Sequence, residues 1–166
     1  MPVNNFDHQV EWTEFTTATS RPTGKNEDAE IKVSSTVGYR TRKRGNAVSM
    51  VDATVNIITV IEESWVVSDK KTDLLRKHEQ GHYDITALGT REFYNQLLLL
   101  TANSPNALDV KINALKQQFQ QKIDACNLRY DKQTNHFLIT AVQDIWNQKI
   151  DSAKTNPAGT INDLPS

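Results

Sequence analysis

"LLRKHEQGHYDITALGTREFYNQLLLL", residues 74–100, decides how this chain is read. The run is rich in apolar residues and free of proline, so it predicts one long helix, with Asp69 or Thr72 available to cap its start. Set into its first half are His78, Glu79, Gly81 and His82, which include two of the chain's 4 histidines. Side chains four apart on a helix share a face and lie about 6 Å apart along the axis. His78 and His82 can therefore converge on one divalent ion, at the roughly 2.0–2.1 Å of a zinc–imidazole bond. Glu79 is turned by about 100° from His78, which carries it beside such an ion and within reach of a water. The HExxH spacing predicts a zinc-dependent peptidase with Glu79 as general base.

Two glycines in the same run carry a second message. A mid-helix glycine costs about 1 kcal/mol relative to alanine, so something must offset it at Gly81 and Gly89. Close approach of a neighbouring helix is the expectation for both.

Catalytic zinc sites use three protein ligands and an open position. No glutamate follows Glu92, and Glu92 itself lies about 15 Å beyond His82 along an unbroken helix. A third histidine six residues after the second is also missing, because position 88 is Leu88. Downstream, the candidates weighed are His136 and the aspartates Asp109, Asp124, Asp131, Asp144 and Asp151. His136 is the expected third ligand, placed where "YDKQTNH" leads into the last helix and where Thr134 or Asn135 can cap it; Asp131 is the runner-up. Tyr130 is a candidate oxyanion donor, with a packed aromatic as the plainer alternative. Asp84 points away from the histidine face, where it can only orient another group.

Around the helix, the chain reads as α+β: a small antiparallel sheet packed on the long central helix, followed by two further helices. Ile31, Val33 and Val37 suggest one strand, and Val51, Ala53, Val55 and Ile57 alternate with polar residues in another. "RKRGN" between them is a hairpin connection whose basic residues form a solvated tip. "ESWVV" supplies a third strand, "ANSPN" a turn, and Ile112, Leu115, Phe119, Ile123 and Cys126 a second helix ending near Arg129. Leu138, Ala141, Val142, Ile145 and Trp146 mark the third. Residues 1–152 are expected to form a single zincin-like domain, with 153–166 a flexible tail. A strand within 47–60 is expected to be exposed and to hold an extended peptide by edge pairing.

Composition narrows the function classes. The 166 residues carry 19 Lys plus Arg against 20 Asp plus Glu, a formal charge of −1, so no global field favours nucleic acid or anionic membrane. No stretch has the roughly 18 apolar residues of a transmembrane helix, and "MPVNNFDHQV" lacks the basic and apolar regions of a secretory signal. The 1 cysteine, Cys126, excludes a multi-cysteine metal site, so any metal must be held by nitrogen and oxygen. The expected cofactor is Zn²⁺ and the expected partner a peptide or protein substrate.

"LLRKHEQGHYDI" resembles the signature of the bacterial predicted secreted zinc-dependent proteases grouped as domain of unknown function 922. "VEWTEF", "ESWVV", "YDKQTNH" and "AVQDIWNQKI" resemble further segments of that family, so the likeness spans most of the chain. The resemblance implies His78 and His82 as ligands, Glu79 as catalytic acid/base, and His136 as the late histidine of the closing segment. It also implies export, to the periplasm or beyond. The chain departs from the pattern at Phe137, where a glycine is expected. Against the peptidase stand two noncatalytic readings: a zinc-stabilised module of the same fold, and a binding or adhesion domain that uses the hairpin.

Overall fold

The structure, a computed structural model, describes residues 3–166. Its strands are β1 (Val3–Asn4), β2 (Thr16–Ala18), β3 (Ala29–Glu30), β4 (Val33–Arg44), β5 (Ala47–Thr59), β6 (Trp65–Val67) and β7 (Thr101–Ala102). Its helices are α1 (Asp73–Leu97), α2 (Pro105–Thr134) and α3 (Thr140–Thr155). The α+β class expected from sequence is what is found. The strands divide into two sheets. In the larger, β5 lies between β1 and β4 and also pairs with β7, and the smaller has the order β2-β6-β3. β1 and β2 join their neighbours in parallel, so neither sheet is purely antiparallel.

The long hairpin of β4 and β5 turns at Gly45 and Asn46, where Gly45 takes a φ of 57°. The register slips between Arg40 and Thr41: Arg40 faces Asp52 while Thr41 faces Met50, leaving Val51 as the extra residue of a bulge. A bulge switches which parity of side chain faces the core. Ala53, Val55 and Ile57 are buried on one side of it and Val48 on the other, while Val51 is 46% exposed. The alternation expected to include Val51 therefore stops one residue short. Nor is β5 an edge strand, because β1, β4 and β7 all pair with it; β4 pairs with β5 alone and so has a free edge.

α1 is the axis of the molecule. Thr72 caps it by accepting from the Leu75 N–H, and every residue from Tyr83 to Arg91 is buried. A helix buried all round must be covered on every face. α2, α3, β5 and the C-terminal segment supply the cover. α2 starts with Ser104 as N-cap and Pro105 in its first turn. It runs one turn beyond the expected end near Arg129, since "YDKQT" contains no glycine or proline to stop it, and closes at Asn135 in the left-handed conformation. Asn135, His136 and Phe137 all have positive φ, at 47°, 51° and 68°. Thr134 does not cap α3: its hydroxyl donates back to the Tyr130 carbonyl, and α3 begins after Ile139 without a side-chain cap.

Two further corrections follow from packing. The buried face of α3 is Gln143, Trp146, Ile150 and Ala153, whereas Leu138 and Ile145 are exposed. The segment 153–166 is not a loose tail. Ile161 and Leu164 are buried, Arg91 donates to the carbonyls of Ala153, Lys154 and Gly159, and the Ile161 N–H donates to Glu92. At the glycines of α1 the expectation of close packing holds. A Cβ on Gly81 would strike Tyr130 of α2, and one on Gly89 would strike Ile123 and Ile161.

Gly159 sits so close to α3 that an added methyl would run into the backbone of Ala153. Gly159→Ala should therefore destabilise the protein by about 1–3 kcal/mol in urea unfolding. Limited proteolysis of that variant should cut within 156–166, where the wild-type chain resists.

Candidate metal centre

Three elements converge at the N-terminal half of α1. His78 and His82 lie one turn apart on its α2-facing side, and their rings meet edge to face with centroids 4.8 Å apart. The last turn of α2 brings Asp131 to them. Its Oδ1 lies 3.1 Å from His78 Nε2 and 2.8 Å from His82 Nε2. One ligand atom from each of His78, His82 and Asp131 falls within 4.8 Å of the others, which makes this trio a candidate metal site. Two imidazole nitrogens and one carboxylate oxygen are a donor set suited to zinc and to other divalent first-row metals.

His136, the expected third ligand, stands beside the trio rather than in it. Its Nδ1 is 3.5 Å from Asp131 Oδ1, its side chain is 39% exposed, and its ring centroid is 6.3 Å from that of His78. The reason is the extra turn of α2, which puts Asp131 on the helix and directs it at the histidines, while His136 falls in the left-handed turn that follows. The runner-up, Asp131, is thus the one that joins the candidate trio. Tyr130 is fully buried, its ring stacked on His78 at 4.6 Å and its hydroxyl donating to the His78 carbonyl. That hydroxyl is turned into the core and away from the cleft, so the plainer alternative, a packed aromatic, is the one found.

Asp84 lies on the other side of α1, where it accepts from Gln80 Nε2 at 3.0 Å and from Lys154 Nζ at 2.6 Å. It joins α1 to α3 and touches neither histidine. His8 pairs with Glu14, and Glu92 pairs with Lys122, so neither approaches the trio.

Glu79 is buried beside the trio. Its Oε2 accepts the Ile31 N–H at 2.9 Å, which ties the helix to the strand segment running along the cleft wall. Burial pushes its carboxyl up to about 7, against the opposing pull of His82 and the Ile31 N–H. Burial also disfavours charge on His82, but the Asp131 carboxylate overrides it and lifts the imidazole to about 9. His78 is pulled down, first by burial. Burial alone would raise Asp131, yet hydrogen bonds to the two imidazoles hold it well below the usual carboxylate range. The four side chains open onto a cleft of about 280 Å³, walled on one side by Ile31, Lys32 and Val33 and on the other by Gln120, Asp124 and Asn127 of α2.

Two polar contacts at the site went unread in the sequence. Gln143 Oε1 lies 3.0 Å from His78 Nδ1, and Asn127 Oδ1 lies 3.0 Å from His82 Nδ1. The signal for Gln143 was its place in the series 143, 146, 150 and 153, a glutamine on an otherwise apolar helix face. Asn127 precedes Asp131 by one turn of α2 and so shares its face.

Residues 9–137 match the model of a family described as bacterial protein of unknown function, DUF922. No curated protein and no solved structure matches.

Between its ordinary value near 4.5 and about 7, folded Glu79 holds a proton that the unfolded chain releases. Its contribution therefore makes the metal-free protein less stable as pH rises through that window. In urea unfolding of chelator-treated protein, Glu79→Gln should remove this slope. It should gain on the wild type by about 1–3 kcal/mol between pH 5 and pH 8.

Proposed function

The chain belongs to the DUF922 family, and from that premise we propose that it is a zinc-dependent peptidase whose ion is held by His78, His82 and Asp131. The observation that carries this reading is the convergence of those three ligand atoms next to a buried glutamate, at the floor of an open cleft. A structural zinc site has four protein ligands, whereas a catalytic one has three and an open position. The candidate trio offers three, with His136 beside it, which supports the catalytic reading.

Zinc held by His78, His82 and Asp131 would supply a Lewis acid able to acidify a water and polarise the scissile carbonyl. Glu79, buried beside the trio and fixed by the Ile31 N–H, takes a proton from the attacking water. As the C–N bond of the peptide breaks, Glu79 passes that proton to the leaving nitrogen. A base with a pKa near the working pH is suited to both halves of this exchange. Substrate is an extended peptide lying along Ile31–Val33, where the free edge of β4 begins.

Asp131→Ala should weaken zinc binding by more than about 100-fold in chelator competition, while His136→Ala should retain the ion. Glu79→Gln should keep zinc and lower peptide hydrolysis by about 10²–10⁴-fold. A wild-type chain that takes up no zinc overturns the reading. Zinc uptake with hydrolysis unchanged in Glu79→Gln leaves the metal site and removes the catalytic assignment.

A further inference from the structure

The histidines of the trio each have a second nitrogen, and the structure gives both of them the same kind of partner. Gln143 Oε1 meets His78 Nδ1 and Asn127 Oδ1 meets His82 Nδ1, each at 3.0 Å. The Gln143 amide lies between three partners, His78, Tyr130 and Asn147. The Tyr130 hydroxyl has one proton, which it donates to the His78 carbonyl, so its oxygen must accept from Gln143 Nε2. Gln143 Nε2 also donates to Asn147 Oδ1 at 2.9 Å. Both hydrogens of the amide nitrogen are thus committed, and the oxygen alone faces His78. An amide oxygen only accepts, so in this arrangement His78 carries its proton on Nδ1. The chain of bonds closes on itself, from the His78 ring to Gln143, to Tyr130, and back to the His78 carbonyl.

We propose that Gln143 and Asn127 are positioning residues, whose amide oxygens hold His78 and His82 as Nδ1–H tautomers so that both Nε2 lone pairs face the ion. This rests on the zinc reading above. The two supports come from different helices, Gln143 from the first turns of α3 and Asn127 from α2. α3 therefore contributes to the metal centre without providing a ligand. Both supports are neutral. A carboxylate in either place would accept the same Nδ1–H bond but add a negative charge, whereas an amide orients the imidazole without one.

The test uses full-length protein with Gln143→Met, which keeps the volume and loses the acceptor, and Asn127→Leu at the half-exposed α2 position. Gln143→Glu and Asn127→Asp are the conservative rescues. Zinc affinity is read by chelator competition, and the imidazole protons by ¹⁵N-histidine NMR of the zinc-loaded protein. In wild type, both Nδ1–H protons should be observed and protected from exchange. Gln143→Met should lose protection at His78 alone and Asn127→Leu at His82 alone, each with about 10–100-fold weaker zinc binding. The rescues should restore protection and return affinity toward wild type. If Gln143→Met fails to fold by circular dichroism, Asn127→Leu decides the proposal. Unchanged affinity and unchanged Nδ1–H protection in the folded variants overturn the positioning role while leaving the zinc site intact. A wild type that binds no zinc overturns both.

Discussion

The structure depends on how near α2 comes to α1. Gly81 has no side chain, and the ring of Tyr130 occupies the space that one would need. That contact stacks the phenol on His78 and fixes the rotation of α2, so the next residue, Asp131, is delivered to both imidazoles. Gly89 repeats the arrangement two turns on, against Ile123 and Ile161. The helix-weakening effect of glycine is offset here by apolar burial on both helices. Without this approach, the HExxH pair would be two histidines on a helix face with no third ligand in reach.

α1 has buried charge on two sides, and the two sides differ in kind. On one, Glu79, His78, His82 and Asp131 are shielded from bulk water yet open to a cleft. On the other, Asp84 and Lys154 form an ion pair in which both side chains are nearly inaccessible, with Gln80 completing the shell around the carboxylate. A fully paired buried charge is tolerated, while a lone one is costly. The second group thus locks α3 to α1, and the first is left with coordination capacity to spare. Lys154 and Arg91 also lie over the face of Phe6, which draws the N-terminal segment into the same lock.

Much of this was legible in the residues, because strong local signals and the final structure agree. The length of α1, its Thr72 cap, the hairpin at Gly45 and Asn46, and the meaning of the two glycines were all accessible from spacing and backbone preference. What was illegible turned on one helical turn and one bulge. "YDKQTNH" looks polar enough to be a loop, yet nothing in "YDKQT" breaks a helix, and continuing α2 through it exchanges the roles of Asp131 and His136. The bulge at Val51 reverses the facing of β5, which no alternation pattern announces. The C-terminal segment is rich in polar and turn residues, and only tertiary contacts with Arg91 and Glu92 show why it is held. Gln143 was hidden for a related reason: a lone amide on an apolar face becomes meaningful only once its neighbours are known.

The turn after α2 carries one more implication. Asn135, His136 and Phe137 adopt left-handed backbone in succession, and Phe137 is the one whose residue type rarely visits that region. Phe137 is the position at which the family resemblance leads one to expect glycine, and its φ of 68° is a glycine-like angle. Its aromatic ring nevertheless packs against the core beside His78. Backbone ease and side-chain anchorage are thus in competition at a single residue. A glycine at that joint would trade a tightly sprung connection for a slack one while His78, His82 and Asp131 stay the same.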